Sequence, residues 1–121
     1  MKYTPLLTVA MMLIAGPLPA GEADVIDVTI DKTAPDVYDI TVTVRHGDTG
    51  WKHYADKWEV LDSNQNVLAT RILYHPHVDE QPFTRSLSAV KIPAAVRAVN
   101  LRAHCSVHGY GGREFPVDLP H

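Results

Sequence analysis

Apolar and polar residues alternate from Val37 to Arg45, with Ile40, Val42 and Val44 on one face and Asp39, Thr41, Thr43 and Arg45 on the other. Successive side chains of an extended chain point to opposite sides, so a period of two predicts a strand with one face in a core and one in water. Similar short segments recur at spacings of roughly ten residues. They cover 25–30, 57–61, 67–74, 86–92, 98–107 and 113–119, and in 98–107 Val99, Leu101, Ala103, Cys105 and Val107 share a face. Turn-forming residues separate them: Pro35-Asp36, the loop 46–55 with Gly47-Asp48 and Gly50, Asp62 to Asn66, Pro93, and Gly109 to Gly112. Seven short strands without a helical period predict an all-β, seven-stranded antiparallel β-sandwich of immunoglobulin or fibronectin type III style. A small barrel is the competing closure. Trp58, on the third strand, is placed as such sandwiches place a core aromatic.

Residues 1–20 are set apart from this pattern. Lys2 precedes the apolar run Leu6 to Ala15, and Gly16-Pro17-Leu18-Pro19-Ala20 then breaks it. That is the order of a secretory signal, and the run is too short to span a bilayer. Cleavage is expected after Ala20, with Ala23 as a second candidate, leaving 21–121 as one domain in the periplasm or outside the cell. No stable membrane anchor is expected after the cut. Removing the signal takes away Lys2 and leaves ten basic and fourteen acidic residues, a formal charge of −4. With no basic patch to hold phosphates, nucleic acid is not an expected partner. A single cysteine, Cys105, excludes an internal disulfide.

The histidines carry the functional signal. Connections in an antiparallel sandwich alternate between its two ends. The loops after the second, fourth and sixth strands contain His46, His53, His75, His77 and His108, five of the seven histidines, and the loops at the other end contain none. Neutral imidazole is the commonest metal ligand, and several together suit copper or zinc. His75 and His77 lead the expected ligand set, because residues two apart on an extended chain point the same way about 7 Å apart. Pro76 holds His75 in such a conformation. His108 comes next, then His46, whose position continues the inward parity of Ile40, Val42 and Val44, and last His53. Asp48, Asp79 and Glu80 are candidates to orient a ring through its second nitrogen, and Trp51 and Tyr110 to wall the site against water. His104 has outward parity and reads as surface, and His121 as an idle end residue. Without an ion, the same loops would only cap the sandwich with stacked rings and solvated imidazoles.

The stretch Cys105-Ser106-Val107-His108-Gly109-Tyr110-Gly111-Gly112 resembles the copper loop of plastocyanin-like cupredoxins. That resemblance implies Cys105 and His108 as copper ligands, with His46 as a further equatorial donor. It departs from the family where an axial Met would stand, since Arg113 occupies that place. Cys105 also lies in the inward row of its strand, where a buried inert thiol explains it equally well. Over most of the mature chain, His46-Gly-Asp-Thr-Gly-Trp51, His53-Tyr-Ala-Asp56, His75 to Ser86 and Val107 to Gly112 resemble a group of small exported bacterial proteins. That likeness implies export and a β-sandwich but no activity.

No serine sits in a Gly-x-Ser-x-Gly context, and Asp79 and Glu80, being adjacent, point apart on an extended chain. The expectation is therefore a metal-handling protein and not an enzyme, binding copper first and zinc second. The alternative is an exported accessory or adhesion-like module without metal, gripping an envelope protein by its aromatic loops. A cupredoxin-like electron carrier is the minority reading.

Overall fold

The computed structural model describes residues 21–121, and the expected signal at 1–20 lies outside them. Seven strands follow one another: β1 (Asp24–Ala34), β2 (Val37–Arg45), β3 (Ala55–Leu61), β4 (Val67–Ile72), β5 (Phe83–Lys91), β6 (Ala98–Cys105) and β7 (Phe115–Asp118). They form two antiparallel sheets, β1-β2-β5 and β4-β3-β6-β7. This is a β-sandwich, as the spacing of the strands predicts.

Alternation drives the packing. In β2, Tyr38, Ile40, Val42 and Val44 are buried, and in β6 so are Val99, Leu101, Ala103 and Cys105. Trp58 and Phe83 fill the largest share of the space between the sheets. Fully burying side chains of this size contributes about 1.5–3 kcal/mol each. β3 departs from simple alternation, because Trp58, Glu59, Val60 and Leu61 are all buried. Glu59 tolerates this by accepting from Arg102 Nε at 2.9 Å, with Lys57 at 3.8 Å.

Several boundaries differ from the sequence expectation, and pairing explains each. β1 continues to Ala34 because it hydrogen-bonds along the whole of β2, which reduces the turn to Pro35-Asp36 with Asp36 at φ 61°. β5 begins at Phe83 because Val44 is its partner across the sheet. β6 stops at Cys105, where the chain folds back in a bridge to Gly109. Pairing with β2 therefore recruits residues that local composition assigns to loops.

The loop after β6 runs close against the start of β1. A side chain at Gly112 would put its Cβ 2.0 Å from the Ala23 carbonyl oxygen, so only glycine fits. Arg113 N–H donates to Asp24 Oδ1 at 2.7 Å, and Val25 N–H donates to the Arg113 carbonyl at 2.8 Å. The beginning of β1 is thereby tied to the end of the sandwich where the histidines lie.

Candidate metal centre

The loops after β2, β4 and β6 meet at this end through long-range hydrogen bonds. Asp48 is the hub. It is buried, and its Oδ1 accepts from His46 Nδ1 at 2.5 Å and from Ala55 N–H at 3.0 Å. Its Oδ2 accepts the His77 N–H at 2.7 Å. Burial is the largest single influence on this carboxyl and opposes its charge. The bonds from His46, His77 and Ala55 together outweigh burial and hold it below the usual carboxylate range. Gln81 adds a second tie, accepting from His46 N–H at 3.0 Å and donating to the His77 carbonyl at 2.9 Å.

Behind this hub lies a cluster of ligand atoms. His46, His53 and Cys105 each offer one donor atom, and these lie within 4.8 Å of one another, close enough to bind a metal ion. His46 and Cys105 are buried and His53 is half-buried. The ring of His53 stands edge-on to His46 at 4.9 Å and to His108 at 5.1 Å, so His108 borders the group on its exposed side. The residues present fit an ion on two counts. First, His53 Nε2 is buried with no hydrogen-bond partner among the described residues, a costly state for a polar atom unless something binds it. Second, Val107 and His108 both direct their N–H groups to Cys105 Sγ at 3.4 Å, the arrangement that steadies a thiolate. His46 Nδ1 donates to Asp48, and Nε2 becomes free to ligate only when an ion displaces the Gly21 carbonyl from it. That Nε2 stands 2.9 Å from the Gly21 carbonyl oxygen.

The other expected residues fall elsewhere. His75 and His77 pair with each other, ring centroids 4.6 Å apart, and neither belongs to the cluster of His46, His53 and Cys105. His77 is buried and stacked on Phe83 at 4.0 Å, whereas His75 is exposed. Burial pushes the His77 imidazole below its usual value, and the positive charge of Arg85 and His75 adds to this. Trp51 and Tyr110 do not wall the cluster. Trp51 is 67% exposed and leans edge-on against Tyr54. Tyr110 packs on the outer face of β6, under Arg102 at 3.7 Å and edge-on to His104 at 4.7 Å. Glu80 orients no ring, being held by Arg85 Nη2 at 3.1 Å, and Asp79 is exposed without a bond to a histidine among the described residues. His104 is half-buried and not simply surface, since its Nδ1 donates to Asp56 at 2.6 Å.

Cys105 is the residue that strand parity underrates. Its inward position reads equally as core. The signal that finds it is the Cys-x-x-His spacing to His108 on a chain that turns back at once.

No family model matches the chain. A protein of Halomicrobium mukohataei described as a "Putative lipoprotein" is 38% identical over 97 residues, which cover 80% of this chain and 47% of that protein. The chain thus spans about half the length of the relative it matches. Among solved structures, a variant of the superoxide reductase (neelaredoxin) of Archaeoglobus fulgidus, in its reduced form, superposes with a TM-score of 0.52. It shares 10% identity and covers 89% of this chain and 98% of that one. A hypothetical protein of Pyrococcus horikoshii gives a TM-score of 0.47 at 16% identity, over 85% of this chain and 96% of that one.

The superoxide reductase likeness is one of fold, and it overturns the expectation that this chain is not an enzyme. That expectation rested on the lack of a nucleophile elbow and of an acid/base pair. Both absences bear on hydrolysis only. The same sandwich serves a redox enzyme, and redox catalysis needs neither device.

Proposed function

We propose that this chain is an exported metalloprotein whose ion is held by His46, His53 and Cys105, with His108 as a fourth donor. The single observation that carries the reading is the convergence of a buried thiol and two imidazoles within 4.8 Å. A thiolate with two imidazoles is the equatorial set of copper electron-transfer centres, so copper comes first. Completing the set with His108 yields one sulfur and three nitrogens, which also suits tetrahedral zinc. Ligation at His46 Nε2 exchanges the Gly21 carbonyl for the ion. Export is supported by the signal-like order of residues 1–20 and by the description of the Halomicrobium relative.

The exposed flank at His108 favours a second reading: superoxide would take one electron from a reduced ion held there and two protons from water to leave as hydrogen peroxide, an external one-electron donor re-reducing the ion. That flank leaves a bound ion one side open to solvent, and the fold is shared with superoxide reductase. This reading requires a redox-active ion, copper or iron, and excludes zinc.

The test is the metal content of protein purified without a histidine tag, followed by copper(II) titration of wild type and Cys105→Ser. One ion per chain and an intense visible absorption, both lost in Cys105→Ser, are the expected result. Metal-free wild type that takes up no stoichiometric copper, zinc or iron would overturn the metalloprotein reading. Superoxide consumption by the loaded protein, abolished by Cys105→Ser, separates catalysis from simple carriage.

A further inference from the structure

His75 and His77 lie outside the cluster of ligands, and their surroundings suit a charge of the opposite sign. A cavity of about 80 Å³ opens beside them, lined by Arg71, Leu73, Tyr74, His75, His77 and Arg85. At roughly 10–15 Å³ per water it holds several waters or one small ion, and it is far below the roughly 300 Å³ at which sites for larger organic ligands begin.

Two features indicate a ligand. His77 is only 5% exposed, yet neither of its ring nitrogens has a hydrogen-bond partner among the described residues. A buried imidazole with both nitrogens idle is expensive unless something occupies the cavity it lines. Arg71 is also prepared in advance. Its Nε donates to the Ser86 carbonyl at 3.0 Å and its Nη1 to the Ile72 carbonyl at 2.6 Å, while Nη2 makes no hydrogen bond among the described residues. A guanidinium anchored on one edge with a free nitrogen on the other can bind a ligand with little loss of side-chain entropy.

The charge decides the class. Two guanidinium groups line the cavity, and a metal cation would have to approach both. Glu80 neutralises one of them, through Arg85 Nη2 at 3.1 Å and Nη1 at 3.3 Å, but Arg71 has no carboxylate partner among the described residues. His75 donates its Nδ1 proton to the Pro76 carbonyl at 3.1 Å, so that nitrogen is not free to ligate a metal. We infer that the cavity formed by Arg71, Arg85, His75 and His77 is a binding site for a small oxyanion such as inorganic phosphate or sulfate. Arg71 Nη2 and a ring N–H of His77 supply donors, and Arg85 supplies charge. The site does not depend on the metal centre. The two are joined through Asp48, which bonds His77 on one side and His46 on the other, and through Gln81, which does the same.

The test is calorimetric titration of the metal-free full chain with inorganic phosphate, and separately sulfate, at low ionic strength. Saturable one-site binding is expected, weakened about tenfold or more by Arg85→Gln or Arg71→Gln, as loss of a charge-assisted bond implies. It is largely kept in Arg85→Lys and unchanged in Arg97→Gln at the other end of the sandwich. Arg71 also ties β4 to β5, so Arg85→Gln carries the test should Arg71→Gln fail to fold. Absence of saturable phosphate and sulfate binding, or equal affinity in Arg85→Gln and wild type, would overturn the inference. Copper or zinc uptake by a His53→Ala/Cys105→Ser variant, lost on adding His77→Phe, would overturn it too, showing a cation site instead.

Discussion

The two ends of this sandwich solve the same problem in different ways. At the end carrying Asp62, the turns at 62–66 and 93–96 close on themselves. Asp62 accepts from Asn64 N–H, Asn66 N–H and Asn66 Nδ2 at 2.9–3.0 Å, and Val96 N–H donates to the Pro93 carbonyl three residues back. At the histidine end the side-chain bonds cross between loops: Asp48 to His77, Gln81 to His46, and Tyr54 N–H to Ser106 Oγ. Where the first end ties distant segments, Ile92 N–H to the Asp36 carbonyl and Leu119 N–H to the Arg97 carbonyl, the bonds run from backbone to backbone. The second holds buried imidazole nitrogens, on His53 and His77, with no hydrogen-bond partner among the described residues. A turn needs only local bonds, whereas a binding site needs distant groups brought together with some of their bonding capacity unspent.

The difference can be broken most sharply at Cys105. Cys105→Ser should abolish thiolate-to-metal absorption and lower metal affinity by more than the about 10–100-fold typical of a lost supporting residue. Unchanged metal binding in this variant would return Cys105 to the core and leave the two ends alike in kind.

Asp48→Ala comes next. It strips the acceptor from Ala55 N–H, His77 N–H and His46 Nδ1. Buried donors left unpaired cost about 1–3 kcal/mol each, so unfolding in urea should show a loss of about 3 kcal/mol or more, with metal affinity down about 10–100-fold. A loss near zero would mean that the loops are not held by this carboxylate.

His77 sharpens the contrast through pH. Its folded imidazole is pushed below the usual value, by burial first and by Arg85 and His75 after it. The unfolded chain therefore binds the proton first as pH falls. Stability is full above the ordinary histidine value near 6.5 and declines as pH drops below it toward the folded value. In His77→Phe, which keeps the ring stacked on Phe83, that part of the decline should vanish from melting curves recorded without phosphate or sulfate. An identical pH profile in the variant would remove His77 as its source.

Asp62→Ala should have the smallest effect. Its carboxyl is held low chiefly by Asn66, and what it contributes is present above the ordinary aspartate value and lost as pH falls through the folded one. A slight fall in melting temperature with metal binding untouched is expected. Altered metal binding would mean the ends are coupled through the core.

The sandwich was legible because burial in strands has a period that sequence displays. β2 runs from Val37 to Arg45 as its alternation predicts. Strand ends were less so: β1 reaches Ala34 and β5 starts at Phe83 because partner strands, not local composition, extend them. The gathering of histidine-bearing loops at one end follows from hairpin alternation. The choice among those histidines does not. His75 and His77 look paired in sequence and are paired in space, but they sit against arginines. His46 and His53 come from the loop after β2, and Cys105 from the end of β6; nothing local says that they touch.

The order of apolar and polar residues thus determined by itself the strands, the core face of each and the end at which imidazoles collect. Only the tertiary structure decided which imidazoles meet a thiol and which meet a guanidinium. The reason is physical: side-chain direction along a strand is set by adjacent peptide geometry, while distances between loops depend on long-range bonds such as those made by Asp48.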